Sequence, residues 1–235
     1  MLKRGKIDCF LPGLVYNPPM RLTAVFWGQM KKHFYIFRHG QTIWNAEGRP
    51  QGQHPYPVPL TMTGREQAEQ LAQKLSDKKI KKLISSDLLR AKQTAEIVAG
   101  RLGLEVEFDA RLREVDYGKL NGMYTIEREE KYPDFRKCYT DYSASFPDGE
   151  SFGEVGERMK AAIREAALKY NNRSIAVSSH GNAMTVLLNV LFGRKLYRLA
   201  NCDFIHITYD PDKDLWAPVD IPPEQPAFEP TFLNY

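Results

Sequence analysis

Polar and apolar positions along this chain switch between two periods, and the switches mark its elements. His33-Phe34-Tyr35-Ile36-Phe37 is a largely apolar run that ends in Arg38-His39-Gly40 and reads as a buried strand. A second such run, Ser174 to Ser179, ends in His180-Gly181-Asn182. Shorter strands are expected over Ile80–Ile84 and Glu105–Phe108. Phe204–Tyr209 alternates as a strand at or near a sheet edge does. Between them the period is helical. Ala68, Leu71, Ala72 and Leu75 share one face of a helix that starts at a Thr63-Gly64-Arg65-Glu66 capping box. Leu88, Leu89, Ala91, Thr94, Ala95, Ile97 and Val98 mark a second helix, which Gly100 is expected to end. A long helix runs from Glu150-Ser151 to Tyr170, and another from Ala183 to Phe192, closed by Gly193.

Strands alternating with helices of this length predict an α/β three-layer sandwich with a mostly parallel central sheet. Gln41–Thr63 is too rich in Gly and Pro for regular structure, and a loop this long in a compact domain is usually functional. Residues 119–150 are polar and tyrosine-rich and read as a small helical lid. The expected organisation is a leader of open role over 1–30, a catalytic domain over 31–210 with the 119–150 lid, and a Pro-rich tail over 211–235. Prolines exclude a helix from that tail, while Trp216, Phe228, Phe232 and Tyr235 could dock it on the body.

Composition narrows the function classes. The net charge of +4 suits an anionic substrate, but the basic residues are scattered and no nucleic-acid recognition motif is present. Cys9, Cys138 and Cys202 match neither a metal pattern nor a disulfide framework, so reduced thiols in the cytoplasm are expected. No stretch is apolar enough for a membrane span, and prolines interrupt the leader where a signal peptide needs an unbroken core. A homodimer is possible.

The chemistry concentrates where two strands end in His-Gly. In open α/β sheets ligands sit at the C-terminal strand ends, and Gly40 would let the backbone turn and approach one. Further motifs follow in order: Gln41-Thr42 with Asn45; Pro59-Leu60-Thr61 with Gly64; Ser85-Ser86-Asp87-Leu88-Leu89-Arg90-Ala91 with Gln93-Thr94-Ala95; Leu112-Arg113-Glu114 with Gly118 and Asn121-Gly122; and Gly149-Glu150-Ser151. Together, over about residues 33–209, they resemble the histidine phosphatase superfamily in its phosphoglycerate mutase-like branch.

That resemblance implies a phosphoglycerate mutase-like fold and roles residue by residue. His39 resembles the nucleophile that receives the phosphoryl group, His180 the second histidine on the same oxygens, and Glu114 the general acid and base. Arg38, Arg90 and Asn45 resemble phosphate ligands, with backbone donors at Gly181 and Asn182. Gln51, His54 and Tyr117 are candidate substrate contacts, and no metal or cofactor is implied. Elementary chemistry agrees, because phosphoryl transfer needs an in-line nucleophile, positive charge on three oxygens and a proton for the leaving group. Two guanidinium forks supply such charge. The bland alternatives stay open. Arg90 could pair with Glu96 or Asp87 on its own helix, Glu114 could be an ordinary loop acid with Asp116 as a weaker rival, and His54 could be a surface residue. His33 and His206 lie in strand patterns and read as structural.

Two departures from the family bear on substrate. Gly52–Leu60 is longer than the usual segment after the hallmark and has no acid, and the acid loop REVDYGKLNG lacks the Glu-Arg-His-Tyr-Gly run of the glycolytic mutases. Both favour a metal-independent phosphomonoester hydrolase acting on a small phosphorylated metabolite. The alternatives are a cofactor-dependent phosphoglycerate mutase, a phosphoprotein phosphatase or a regulatory homologue. Tyr124, Tyr132, Tyr139 and Tyr142 are expected to shape the choice of leaving group.

Overall fold

The computed structural model describes residues 30–194 and 199–223. Its strands are β1 (Lys32–Arg38), β2 (Lys82–Ser85), β3 (Val106–Phe108), β4 (Ser174–Ser179), β5 (Phe204–Asp210) and β6 (Leu215–Asp220). They form one sheet of order β3-β2-β4-β1-β5-β6. Pairing is parallel from β1 through β4 and β2 to β3, and antiparallel from β1 to β5 and from β5 to β6. The helices are α1 (Ile43–Ala46), α2 (Met62–Leu75), α3 (Leu89–Leu102), α4 (Thr125–Lys131), α5 (Phe152–Lys169) and α6 (Gly181–Phe192).

The alternation along β1 builds the layers. Tyr35 and Phe37 face α2 and α3, while Phe34 and Ile36 face α5 and α6. The result is the three-layer sandwich with a mostly parallel sheet that the hydrophobic pattern predicts. The lid, α4 followed by a 3-10 stretch over Pro133–Tyr139, rests on the α5 side. Its inner surface is core: the rings of Phe135, Tyr139, Phe146 and Phe152 meet edge-on or tilted, with centroids 5.4–6.0 Å apart. Arg128 is buried there, donating to the Leu120 carbonyl at 2.9 Å and stacking on Tyr117.

Several boundaries differ from the sequence expectation. The cap of α2 is Thr61, not Thr63, because an antiparallel bridge between Thr42 and Leu60 sets the chain's entry two residues earlier. Its hydroxyl accepts from the Gly64 amide at 3.0 Å. Gly100 lies inside α3, and the left-handed residue that ends the helix is Gly103. The loop after His39 holds one helical turn, α1, closed by a Thr42–Asn45 capping box. Residues 215–220, assigned to the tail from their neighbouring prolines, form β6. Pro218 is tolerated because β6 is an edge strand whose register slips against β5. Trp216 docks on Tyr209, ring centroids 4.3 Å apart. The 1–29 part of the leader and Phe228, Phe232 and Tyr235 lie outside the described residues.

Candidate active site

The C-terminal ends of β1, β4 and β2 converge on one spot. Register pairs Arg38 with Ser179, so the residues that follow, His39 and His180, emerge side by side with ring centroids 5.2 Å apart. The His39 amide donates to the Ser179 carbonyl at 3.1 Å, and Asn201 Nδ2 donates to the His39 carbonyl at 2.9 Å. Gly40 has a packing reason to be small. A Cβ there would lie 2.3 Å from the Gly64 carbonyl oxygen, and one on Gly64 would lie 2.1 Å from that of Gln41. Two glycines thus let the start of α2 lock the loop behind His39, while the Gly40 amide donates to Thr94 Oγ1.

The His39 tautomer follows from its neighbours. Nδ1 lies 2.7 Å from the Gly40 carbonyl oxygen, which can only accept. The proton therefore sits on Nδ1, and Nε2 carries a lone pair. Arg90 Nε donates to that lone pair at 3.2 Å, and Arg90 Nη2 donates to the Gly52 carbonyl at 2.8 Å. Burial, then the charges of Arg90 and Arg38, hold the His39 pKa well below the ordinary imidazole value, with the Gly40 bond opposing. Burial likewise lowers Arg90, to about 10. Arg90 does not pair with Asp87, whose carboxylate is taken by Arg113.

His180 is fully buried, and its Nε2 lies 2.8 Å from Ser86 Oγ. Its Nδ1 is buried with no hydrogen-bond partner, an orphan that a ligand oxygen would satisfy. Burial and the neighbouring Arg90 and His39 hold its pKa well below the ordinary value too. The site is thus two neutral imidazoles beside two buried guanidinium groups, a charge balance suited to an anion.

Glu114 is not an ordinary loop acid. It is buried, and its carboxylate accepts from the Ala183 amide at 2.9 Å and the Asn182 amide at 3.3 Å, in the first turn of α6, and from Val115 at 3.0 Å. A carboxylate at a helix N-terminus is well placed electrostatically. It also takes up the Asn182 amide expected to serve phosphate, and Asn182 Nδ2 donates to Tyr117 Oη at 2.5 Å. Gly181 is the first-turn residue that Glu114 leaves alone; it lies against Arg38, whose Nε would be 3.4 Å from a Cβ there.

The other candidates separate by the partners they hold. Arg38 is buried beside the pair and donates from Nη1 to the Leu199 carbonyl. Asn45 spends its carbonyl oxygen on Thr42 and Asn201. Gln51 is buried, donates to Thr42 Oγ1 at 2.7 Å and has an unpartnered Oε1. Tyr117 is buried against Phe146. His54 is half-buried and packs on Trp44, ring centroids 5.0 Å apart. Sequence reasoning passed over Asn201 and Gln53, whose side chains brace the His39 and Glu114 carbonyls, and gave Ser86 and Thr94 no role although both lie in quoted motifs. Asn201 carries no periodic or motif signal. Among the described residues, no group of three or more His, Cys, Asp or Glu could hold a metal ion, and no helix is long and apolar enough to cross a membrane.

Comparison with known proteins places this geometry. Residues 34–218 match the family model of the histidine phosphatase superfamily, branch 1. The chain is 36% identical over 190 residues to a probable phosphoglycerate mutase GpmB of Citrobacter koseri, covering 77% of this chain and 86% of that one. It is 38% identical over 183 residues to the protein of the same name in Salmonella arizonae, covering 74% and 84%. A mycobacterial glucosyl-3-phosphoglycerate phosphatase, solved with VO3, superposes with a TM-score of 0.72 at 26% identity, covering 80% of this chain and 97% of that one. The match spans well over half the chain and includes both His-Gly strand ends, so the protein belongs to the histidine phosphatase superfamily, branch 1.

Proposed function

We propose that the protein hydrolyses the phosphomonoester of a small metabolite by passing the phosphoryl group through His39, without a metal. The observation that carries this reading is the His39 tautomer: Nδ1–H is spent on Gly40 and the Nε2 lone pair points at Arg90. In the first step Nε2 forms the N–P bond as the ester P–O bond breaks, and Glu114 gives its proton to the departing oxygen. In the second, water attacks phosphorus, Glu114 takes the proton, the N–P bond breaks and inorganic phosphate leaves. Arg38, Arg90 and His180 Nδ1 supply charge and donors to the phosphoryl oxygens, each worth roughly 3 kcal/mol in the transition state. Asn45 and the Gly181 amide complete the cradle. Two buried free thiols, Cys138 and Cys202, fit a reducing cytoplasmic setting, and a homodimer belongs to the same reading.

A second reading, interconversion of 3- and 2-phosphoglycerate, is favoured by the names of the two bacterial relatives. One experiment separates them: turnover in EDTA on a panel of phosphomonoesters, including glycerate phosphates and their glycosides, for wild type beside His39→Ala. Phosphate release that His39→Ala abolishes supports the hydrolase. Isomerisation of 3-phosphoglycerate dependent on 2,3-bisphosphoglycerate, with negligible phosphate release, replaces it with the mutase.

A further inference from the structure

The Gly149-Glu150-Ser151 motif has no place in the proposed phosphate cradle, yet Glu150 belongs to a dense side-chain network around Arg158. Arg158, on α5, spends all five of its N–H donors. Nη1 donates to the carbonyls of Arg111 at 2.7 Å and Arg113 at 2.8 Å, and Nη2 to the carbonyl of Glu114 at 2.9 Å. Nε and Nη2 grip the two carboxylate oxygens of Glu150 at 2.7 and 2.9 Å. Glu150 in turn accepts from the Asp116 amide at 2.9 Å, and its own amide donates to the Asp116 carbonyl at 2.9 Å. The backbone on both sides of Glu114 is thereby tied to a single guanidinium. Neither charge is exposed: the side chains retain 17% and 24% of their accessibility.

From this network we infer that Glu150 and Arg158 are positioning residues for the acid-base step, setting where the Glu114 carboxyl lies at the mouth of the phosphate cradle. Two features separate this from general stabilisation. The three carbonyls held, those of Arg111, Arg113 and Glu114, all lie within four residues that end at Glu114 and are not spread over the fold. The approach of the two loops is also built in: a Cβ on Gly149 would lie 2.3 Å from the Asp116 carbonyl oxygen, so the turn bearing Glu150 must seat tightly on the acid loop. A side chain carried on a loop of that kind acts at a distance set by its backbone. The inference rests on the proposed role of Glu114.

The test uses the dependence on leaving group. Expulsion of p-nitrophenolate needs little protonation, whereas an alkoxide leaving group needs the acid. Arg158→Lys keeps charge and loses the fork; Glu150→Gln keeps size and loses the carboxylate. In both, first-turnover cleavage of β-glycerol phosphate should fall by about 100-fold while that of p-nitrophenyl phosphate falls less than about fivefold, the loss expected when a reacting group is misplaced by about 1 Å. The Kd for inorganic phosphate should stay within about twofold, since it reports only a cradle these residues do not touch. Glu114→Gln, measured alongside, should show the same split. Equal losses on both esters, a weakened phosphate Kd, or no loss would overturn the positioning role. If Glu114→Gln itself shows no split, the Glu114 reading fails instead. Should Arg158→Lys not fold, Glu150→Gln decides the matter alone.

Discussion

Arg90 Nε sits 3.2 Å from His39 Nε2, on the lone pair that the Nδ1–Gly40 bond leaves exposed. A cation donor thus marks the position where a phosphoryl group would enter. Arg90→Lys replaces a planar fork with a point charge and loses the Gly52 anchor, so kcat should fall by roughly 10²–10³-fold. Steady-state kinetics check this, with the melting temperature as the control for folding.

The two imidazoles set a pH dependence. Both His39 and His180 have pKa values well below the usual 6.5, mainly through burial. Activity limited by their neutral form should therefore persist below pH 6.5, and the acid limb of kcat/KM should move to higher pH in Arg90→Gln, where one lowering charge is gone.

Stability follows the same linkage. Where a folded pKa is depressed, the unfolded chain binds protons the folded one refuses, so stability is complete above about pH 6.5 and declines as pH falls below it. His206, lowered to about 4 by burial and by His33 at 2.9 Å, extends the effect over the window from 6.5 to about 4. Urea titrations from pH 7.5 to 4 should show His206→Asn losing less stability across that window than wild type. Parallel slopes would rule His206 out as a contributor.

Ser86 fixes His180. Its Oγ accepts from the Leu88 amide at 3.3 Å and lies 2.8 Å from His180 Nε2; with its hydroxyl donating to Nε2, the ring's proton falls on the orphan Nδ1, the tautomer that a donor to phosphate requires. Ser86→Ala frees the tautomer at a cost of about 1.4 kcal/mol, hence about tenfold in kcat/KM and a weaker phosphate Kd. Isothermal titration with phosphate checks the second effect.

The lid tyrosines divide. Tyr139 is packed with Phe146 and Phe152, whereas Tyr124 is 40% exposed, beside Arg49, whose guanidinium also lies 3.9 Å over Trp44. Tyr139→Ala should destabilise by about 3–5 kcal/mol, as truncated core aromatics do, and leave substrate ratios unchanged. Tyr124→Ala should change the ratio of kcat/KM across esters with little change in melting temperature. Unchanged ratios in Tyr124→Ala would remove the lid from substrate choice.

The candidate site is legible in the sequence because strand ends are legible. His39 and His180 each follow an apolar run, and parallel register does the rest. The layers followed from alternation at Phe34–Phe37. What stayed hidden was set by contacts distant in sequence. Asn201 reaches His39 across 162 positions and Arg158 reaches the acid loop across more than 40, with no local pattern to announce either. β6 was obscured by prolines that an edge strand accepts. The packing of Gly40 on Gly64, 24 positions away, likewise has no local signal.

The central claim is that His39 Nε2 carries the phosphoryl group. Rapid acid-free quenching of the enzyme during turnover of a substrate from the panel, followed by peptide mass analysis, tests it directly. A phosphorylated peptide containing His39, labile to acid and stable to base, absent from His39→Ala and, with p-nitrophenyl phosphate as substrate, accumulating in Glu114→Gln, is the predicted result. Turnover at full rate with no phosphate on His39, or undiminished turnover by His39→Ala, would contradict the account.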